Sequence, residues 1–172
     1  MDVSAIDVFK ELGLSEDYFL QRGLQRYDEA KDLVVVHTDE DGRIHELLSS
    51  ACQAWHAMKD AANDDGHDLF IVSAFRSVGR QAEIVRAKHV SGIGNDEIFS
   101  VSAPPGFSEH HTGRAIDVST PEYLSLEEEF ENSPAFAWLQ GNAAQFGFTM
   151  TYPPGNKFGY LYEPWHWYYG DA

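Results

Sequence analysis

The sequence predicts an α+β domain, a small antiparallel sheet with helices packed on one side. Three observations predict it. Short runs rich in β-branched or aromatic residues, such as Leu33–His37 and Leu69–Phe75, read as strands. Longer stretches carry apolar residues at helical spacing, most clearly Leu48, Ala51, Trp55, Met58 and Ala62. Turn signals at Asp41-Gly42 and Pro153-Pro154-Gly155-Asn156 return one strand beside the next. A chain of 172 residues, 43% hydrophobic and 13% aromatic, suits one domain with a sizeable core and no staples. Residues 1–172 are expected to form that single domain, with N-terminal helices and first strands in 1–44 and a catalytic core in 45–169.

In chain order, residues 4–25 read as two short helices, Gly13 ending the first and Ser15 capping the second. Strand 33–37 turns through Asp41-Gly42 into a second short strand. A long helix is expected over about 46–64, then strand 69–75 and a helix over 78–90 carrying Ile84 and Val85. Residues 91–107 read as loop, with Pro104-Pro105-Gly106 delivering the chain stiffly into the segment that starts at Ser108. The acidic run Glu127 to Glu131 reads as a solvated face. Ser133 and Pro134 suit the N-cap and first position of a further helix, which Gly147 ends. Strand 148–152 and a C-terminal strand then close the domain as a hairpin.

Two stretches carry the chemistry, Ser108-Glu-His-His-Thr-Gly-Arg-Ala-Ile-Asp117 and Glu163-Pro-Trp-His166. They offer two imidazoles, a carboxylate and a further glutamate. A hydrolytic zinc site needs those parts: three ligands, an open position for water, and a base that is not a ligand. Alternation through Ala115–Val118 puts Ile116 and Val118 on one strand face, Ala115 and Asp117 on the other. Gly113 breaks the chain and lets His110 fold back beside Asp117. Pro164 cannot donate to a ladder, so an edge or a bulge is expected there, turning Glu163 and His166 into one cleft.

The pattern Ser-x-His-x-x-Gly-x-Ala-x-Asp followed by Glu-x-x-His resembles the LAS metallopeptidases. That family comprises lysostaphin-type enzymes, D-alanyl-D-alanine metallopeptidases and the Sonic hedgehog signalling domain. The form Glu163-Pro-Trp-His-Trp167, with Ser73-Ala-Phe-Arg76-Ser upstream and Ala103-Pro-Pro-Gly-Phe before Ser108, is most similar to the VanY-like carboxypeptidases. The likeness covers roughly residues 45–169. It implies a zinc ion held by His110, Asp117 and His166, with Glu163 as general base and acid. It implies further that Arg76 binds substrate and polarises the scissile carbonyl, while Ser108, Gln81 and Trp165 line the substrate pocket. Tyr168 stands where relatives often carry arginine, Phe158-Gly159 where Thr-Gly is usual, and Val78 where tyrosine is common. All three departures bear on which peptide is accepted.

The chemistry also stands on the residues alone. Zinc lowers the pKa of bound water to roughly 7, Glu163 would carry the proton, and Arg76 would either share the oxyanion's charge or clamp a terminal carboxylate. The remaining histidines, 37, 45, 56, 67 and 89, lack ligand spacing, and His111 reads as a supporting or exposed residue. Cys52 lies on an apolar helix face and reads as an inert buried thiol; a single cysteine excludes an internal disulfide.

A net charge of −16 argues against nucleic acid and against anionic membrane surfaces. No apolar run reaches spanning length, and Met1-Asp-Val-Ser4 lacks a signal's basic and hydrophobic regions. A soluble, cytoplasmic protein is expected, or an envelope protein if a leader was removed. Nothing in the residues specifies an oligomer. The leading expectation is a zinc-dependent carboxypeptidase removing a C-terminal D-alanine, across a D,D or an L,D bond, from peptidoglycan-type peptides. Two alternatives stand beside it: a peptidoglycan endopeptidase of the phage-lysin kind, and a zinc-stabilised binding module without catalysis. Glu163 argues against both, since lysin relatives tend to carry aspartate there and a structural site has no use for a base.

Overall fold

A computed structural model describes residues 3–170. Both ends of the expected domain, Met1-Asp2 and Asp171-Ala172, lie outside the described residues. Helices α1 (Val3–Glu11) and α2 (Glu16–Gln21) open the chain, followed by strands β1 (Leu33–Thr38) and β2 (Ile44–Leu48). Helix α3 (Ser49–Asp64), strand β3 (Phe70–Ser73) and helices α4 (Val78–Val90) and α5 (Asn95–Val101) come next. Strand β4 (Ala115–Ser119), helix α6 (Pro134–Asn142) and strands β5 (Phe148–Met150) and β6 (His166–Tyr169) complete the order.

β1 and β2 form an antiparallel ribbon, and the main sheet has the order β3-β4-β6-β5 with every pair antiparallel. One face of that sheet, with Ile71, Ile116, Val118, Phe148 and Trp167, joins the principal core with Trp55 and Met58 of α3 and Phe136 and Leu139 of α6. These are the helices expected on the sheet. A second apolar cluster, from Val8 and Phe19 to Val85, Ile98 and Phe99, unites α1, α2, α4 and α5. Asp117 and His166 stand between the two clusters.

Several boundaries differ from expectation, each for a local reason. The long helix starts at Ser49 because residues 44–48 complete the ladder with β1. Strand β3 stops at Ser73: the Ala74 and Arg76 carbonyls accept hydrogen bonds from the rings of His110 and His111 (2.7 and 2.6 Å), and Arg76 N–H donates to His110 O (3.2 Å). The supposed loop 91–107 contains α5, whose inner residues Ile98 and Phe99 are buried. Ser15 occupies the N-cap position of α2 without a side-chain bond, whereas Ser133 accepts from Phe136 N–H and caps α6 as expected.

The expectation at Pro164 is corrected most. β6 begins only at His166 and is an interior strand, not an edge. Pro164 lies outside it, in a turn closed by His166 N–H to Glu163 O (3.1 Å), where its fixed φ is favourable and no donor is needed. The irregularity is in β3 instead, between Ile71 and Ser73, and it sets Ser73 opposite Asp117.

Gly113 performs the break assigned to it. It comes directly after one turn of 3₁₀ helix (Glu109–Thr112) with φ +64°, a left-handed conformation. A Cβ there would lie 2.7 Å from Leu33 Cδ2 and 3.2 Å from the Leu48 backbone nitrogen. Gly113→Ala is therefore expected to lower stability by about 1–3 kcal/mol, from the left-handed backbone and the crowding. Chemical denaturation of the two proteins would check it; an unchanged midpoint would show that the turn relaxes freely.

Candidate metal centre

β4 and β6 pair with Asp117 opposite His166, so a carboxylate and an imidazole come side by side from sheet register alone. The 3₁₀ turn and Gly113 bring His110 to the same point. His110 Nε2 lies 3.2 Å from Asp117 Oδ2, and His166 Nδ1 lies 2.9 Å from Asp117 Oδ1. The three side chains are buried, and one ligand atom from each falls within 4.8 Å of the others. Among the described residues this is the one group of three or more that could hold a metal ion.

The protons fit that use. His110 Nδ1–H donates to Ala74 O, which leaves Nε2 with its lone pair facing the cluster. His166 Nε2 faces Glu109 Oε2 at 2.9 Å, an arrangement that directs Nδ1 toward the cluster. Burial pushes His110 below its ordinary pKa. His166 lies in a buried site whose desolvation opposes the charged ring, but the two carboxylates flanking it prevail and raise it to about 10. Asp117 is held well below the usual carboxylate range by His110 and His166, against the desolvation that opposes ionisation. Two imidazoles and one carboxylate, buried and with their outer nitrogens occupied, are a donor set that suits zinc.

A cavity of about 350 Å³ opens over this cluster, lined among others by Arg76, Ser108, Glu163 and Trp165. Glu163 is positioned by its backbone, N–H to Tyr152 O (3.1 Å) and O to His166 N–H. Its carboxyl is ringed by protein, and desolvation raises its pKa to about 7 against the lowering effect of His166 and Arg76. Ser108 is buried at the start of the 3₁₀ turn and its Oγ accepts from His110 N–H (3.3 Å). Arg76 Nη2 donates to Ser73 Oγ (3.0 Å) and stands 3.7 Å from Asp117 Oδ2. Gln81 departs from expectation. It is buried behind the cavity, its Oε1 accepting from Arg76 Nη1 (2.8 Å) and its Nε2 donating to Ala103 O (2.6 Å). It faces inward from the first turn of α4, so it braces the guanidinium without lining the cavity.

Glu109 escaped sequence reasoning, whereas His111 takes the supporting place expected of it rather than an exposed one. Glu109 is buried, meets His166 and accepts a hydrogen bond from the Tyr27 phenol. His111 is fully buried: Nδ1–H donates to Arg76 O, and Nε2 accepts from Gly106 N–H (3.1 Å). Burial lowers its pKa to about 4, so the ring is neutral at pH 7. The available signal for Glu109 was its place beside two histidines in the motif. Tyr152 stacks on His166 with ring centroids 4.6 Å apart.

The fold and the arrangement of this cluster are those of the LAS-type VanY peptidases. Residues 44–171 match the family model described as VanY, D-alanyl-D-alanine carboxypeptidase, and the chain belongs to that family. It is 37% identical over 123 residues to YodJ of Bacillus subtilis (strain 168), a carboxypeptidase by name, covering 70% of this chain and 45% of that protein. To a D-alanyl-D-alanine carboxypeptidase of Enterococcus faecalis (strain ATCC 700802 / V583) it is 32% identical over 120 residues, 64% of this chain and 43% of that one. The chain thus matches less than half the length of these two relatives. Among solved structures, the LD-carboxypeptidase LdcB superposes with a TM-score of 0.74 at 36% identity, covering 82% of this chain and 69% of that one. A D,D-pentapeptidase VanY variant in complex with Zn(II) gives 0.63 at 27%, covering 83% and 79%. Among the described residues no helix is long and apolar enough to cross a membrane.

Glu109→Gln is expected to weaken zinc binding about 10- to 100-fold, read by competition with a chelating dye, because it removes the anion that orients His166. His111 should contribute a loss of folding stability as pH drops from about 6.5 toward 4, since the unfolded chain gains a proton that the buried ring refuses. Glu163 contributes in the opposite direction, because its raised pKa makes the folded chain bind a proton first. His111→Phe would remove the His111 contribution in denaturation series; an unchanged slope would exclude His111 as its source.

Proposed function

We propose that this chain is a zinc-dependent carboxypeptidase that hydrolyses the bond before a C-terminal D-alanine in peptidoglycan-type peptides. His110 Nε2, Asp117 and His166 Nδ1 are the zinc ligands in this reading. The observation that carries it is the buried His-Asp-His cluster at the floor of a cavity whose wall supplies Glu163, a carboxylate outside the cluster. When bound, the metal supplies Lewis acidity and a water of lowered pKa.

The remaining steps belong to the chain's own groups. Glu163 takes the proton of the attacking water and hands it to the amine nitrogen of the leaving alanine. A carboxyl raised toward 7 is matched to both tasks near neutral pH. Arg76, fixed by Ser73 and Gln81 and 3.7 Å from the Asp117 carboxylate, meets the carbonyl oxygen as it gains charge. Ser108 and Trp165 line the approach and orient the peptide. The relatives support both stereochemical forms, since LdcB is an LD-carboxypeptidase and VanYB has been solved with D-Ala-D-Ala at 26% identity. The site of action depends on the substrate: cytoplasm for recycled wall peptides, envelope for the wall itself, with cell fractionation deciding.

Zinc-loaded protein would be incubated with a muropeptide tetrapeptide and a pentapeptide ending in D-Ala-D-Ala, and products read by mass spectrometry. Loss of one alanine from either establishes the activity and assigns the bond. No cleavage with stoichiometric zinc would remove the reading. Glu163→Gln should keep zinc and lose about 10²–10⁴-fold in kcat. Because the base acts ionised, kcat/KM should fall with decreasing pH on an acid limb. That limb lies between 4.5 and about 7, since a bound cation pulls Glu163 below its metal-free value.

A further inference from the structure

The cavity holds a second cation that neither the metal cluster nor Arg76 accounts for. Lys88 lines it from α4, half-buried, and its Nζ donates to Ser102 Oγ at 2.8 Å. Among the described residues Lys88 makes no ion pair, in a chain with 28 acidic and only 12 basic residues of lysine and arginine. A partly buried ammonium without a carboxylate partner costs stability unless something else supplies the anion. Desolvation lowers its pKa, and the Glu163 carboxylate acts from a distance in the opposite direction.

Its placement relative to Arg76 divides the work between the two. Both terminal nitrogens of Arg76 are engaged, Nη1 by Gln81 and Nη2 by Ser73, and the guanidinium lies against the carboxylate of the metal cluster. It is therefore fixed beside the reacting carbonyl. Gln81 and Lys88 are seven residues apart on α4, two turns on the same side of the helix and about 10 Å along its axis. Lys88 and Arg76 both line the cavity, and Lys88 stands two helical turns beyond the glutamine that holds the guanidinium. One of its three N–H bonds is used on Ser102, and the Ser102 hydroxyl, accepting from the ammonium, keeps its own proton to donate. A carboxylate has two oxygens for such a pair of donors.

We propose that Lys88 and Ser102 form the subsite that receives the substrate's C-terminal carboxylate, leaving Arg76 to the scissile carbonyl. The assignment rests on the carboxypeptidase reading. It makes Lys88 the residue that enforces exopeptidase specificity, because a peptide continuing past the cleaved residue, or ending in an amide, brings no anion to that end of the cavity.

The test uses the zinc-loaded full chain and whichever tetrapeptide or pentapeptide the unmodified protein cleaves, as free acid and as C-terminal amide. Lys88→Met is expected to raise KM for the free acid about 10- to 100-fold, with kcat within about threefold. On the amide, Lys88→Met should match the unmodified protein, because the contact it removes is already absent. Lys88→Arg should recover most of the affinity for the acid, and Ser102→Ala should lose a smaller part of it. Zinc content and melting temperature establish that each variant is folded; if Lys88→Met is not, the arginine and alanine variants decide. Unchanged KM in Lys88→Met, or equal losses on acid and amide, would overturn the subsite while leaving the carboxypeptidase reading intact. Failure of the unmodified protein to cleave either peptide would overturn both.

Discussion

The buried carboxylate of Asp117 is the constraint around which the rest of the site is arranged. A carboxylate removed from water is costly unless its oxygens find donors or positive charge. Here Oδ1 accepts from His166 Nδ1, and the Arg76 guanidinium stands 3.7 Å from Oδ2, on which His110 Nε2 also closes. Each of these groups is held in turn: His110 by the Ala74 carbonyl, His166 by Glu109, Arg76 by Ser73 and Gln81. A change at Asp117 would therefore propagate into β3, α4 and the 3₁₀ turn together. In the proposed metal-bound state the cation would take the place of the contacts that these groups make with one another.

The sheet makes this economical. Asp117 sits on β4 between β3 and β6, so Ser73 and His166 are its cross-strand neighbours by register. The opposite face of the same strands, through Ile116 and Val118, is locked into the core beneath α3 and α6. Rigid support on one face permits a precise polar cluster on the other. The segment before β1 contributes as well, though it lies outside the family-matched residues. Tyr27 and Ala30 pair their backbones with Gly106 and His111, and the Tyr27 phenol reaches Glu109. Residues far from the two motifs thereby help to hold the His-Asp-His cluster.

Charge is distributed with a purpose that net composition conceals. The surface is strongly acidic, yet the cavity over the metal cluster carries Arg76 and Lys88 on its wall. An acidic shell deters polyanions, while under the proposed reading the two internal cations would give a peptide carboxylate and a developing oxyanion a local destination. The acidic run Glu127–Glu131 stays solvated around buried Phe130, with Glu128 at the cavity.

Much of this was legible in the residues. Alternation in Ala115–Val118, the break at Gly113 and the capping pair Ser133-Pro134 are local events with local causes, and the sequence by itself determined them. The residues of the buried His-Asp-His cluster and the glutamate on the cavity wall were also readable, because the chemistry proposed for them demands particular side chains. Tertiary structure decided what depends on distant partners. Whether Pro164 sat in a bulge or a turn depended on β6 becoming an interior strand. Gln81 became a brace because α4 turns it toward Arg76. Glu109 and Lys88 look like ordinary surface residues until the fold removes water from them. A side chain's type is written in the chain, but its protonation, its partner and its task are set by its surroundings, and only packing supplies those.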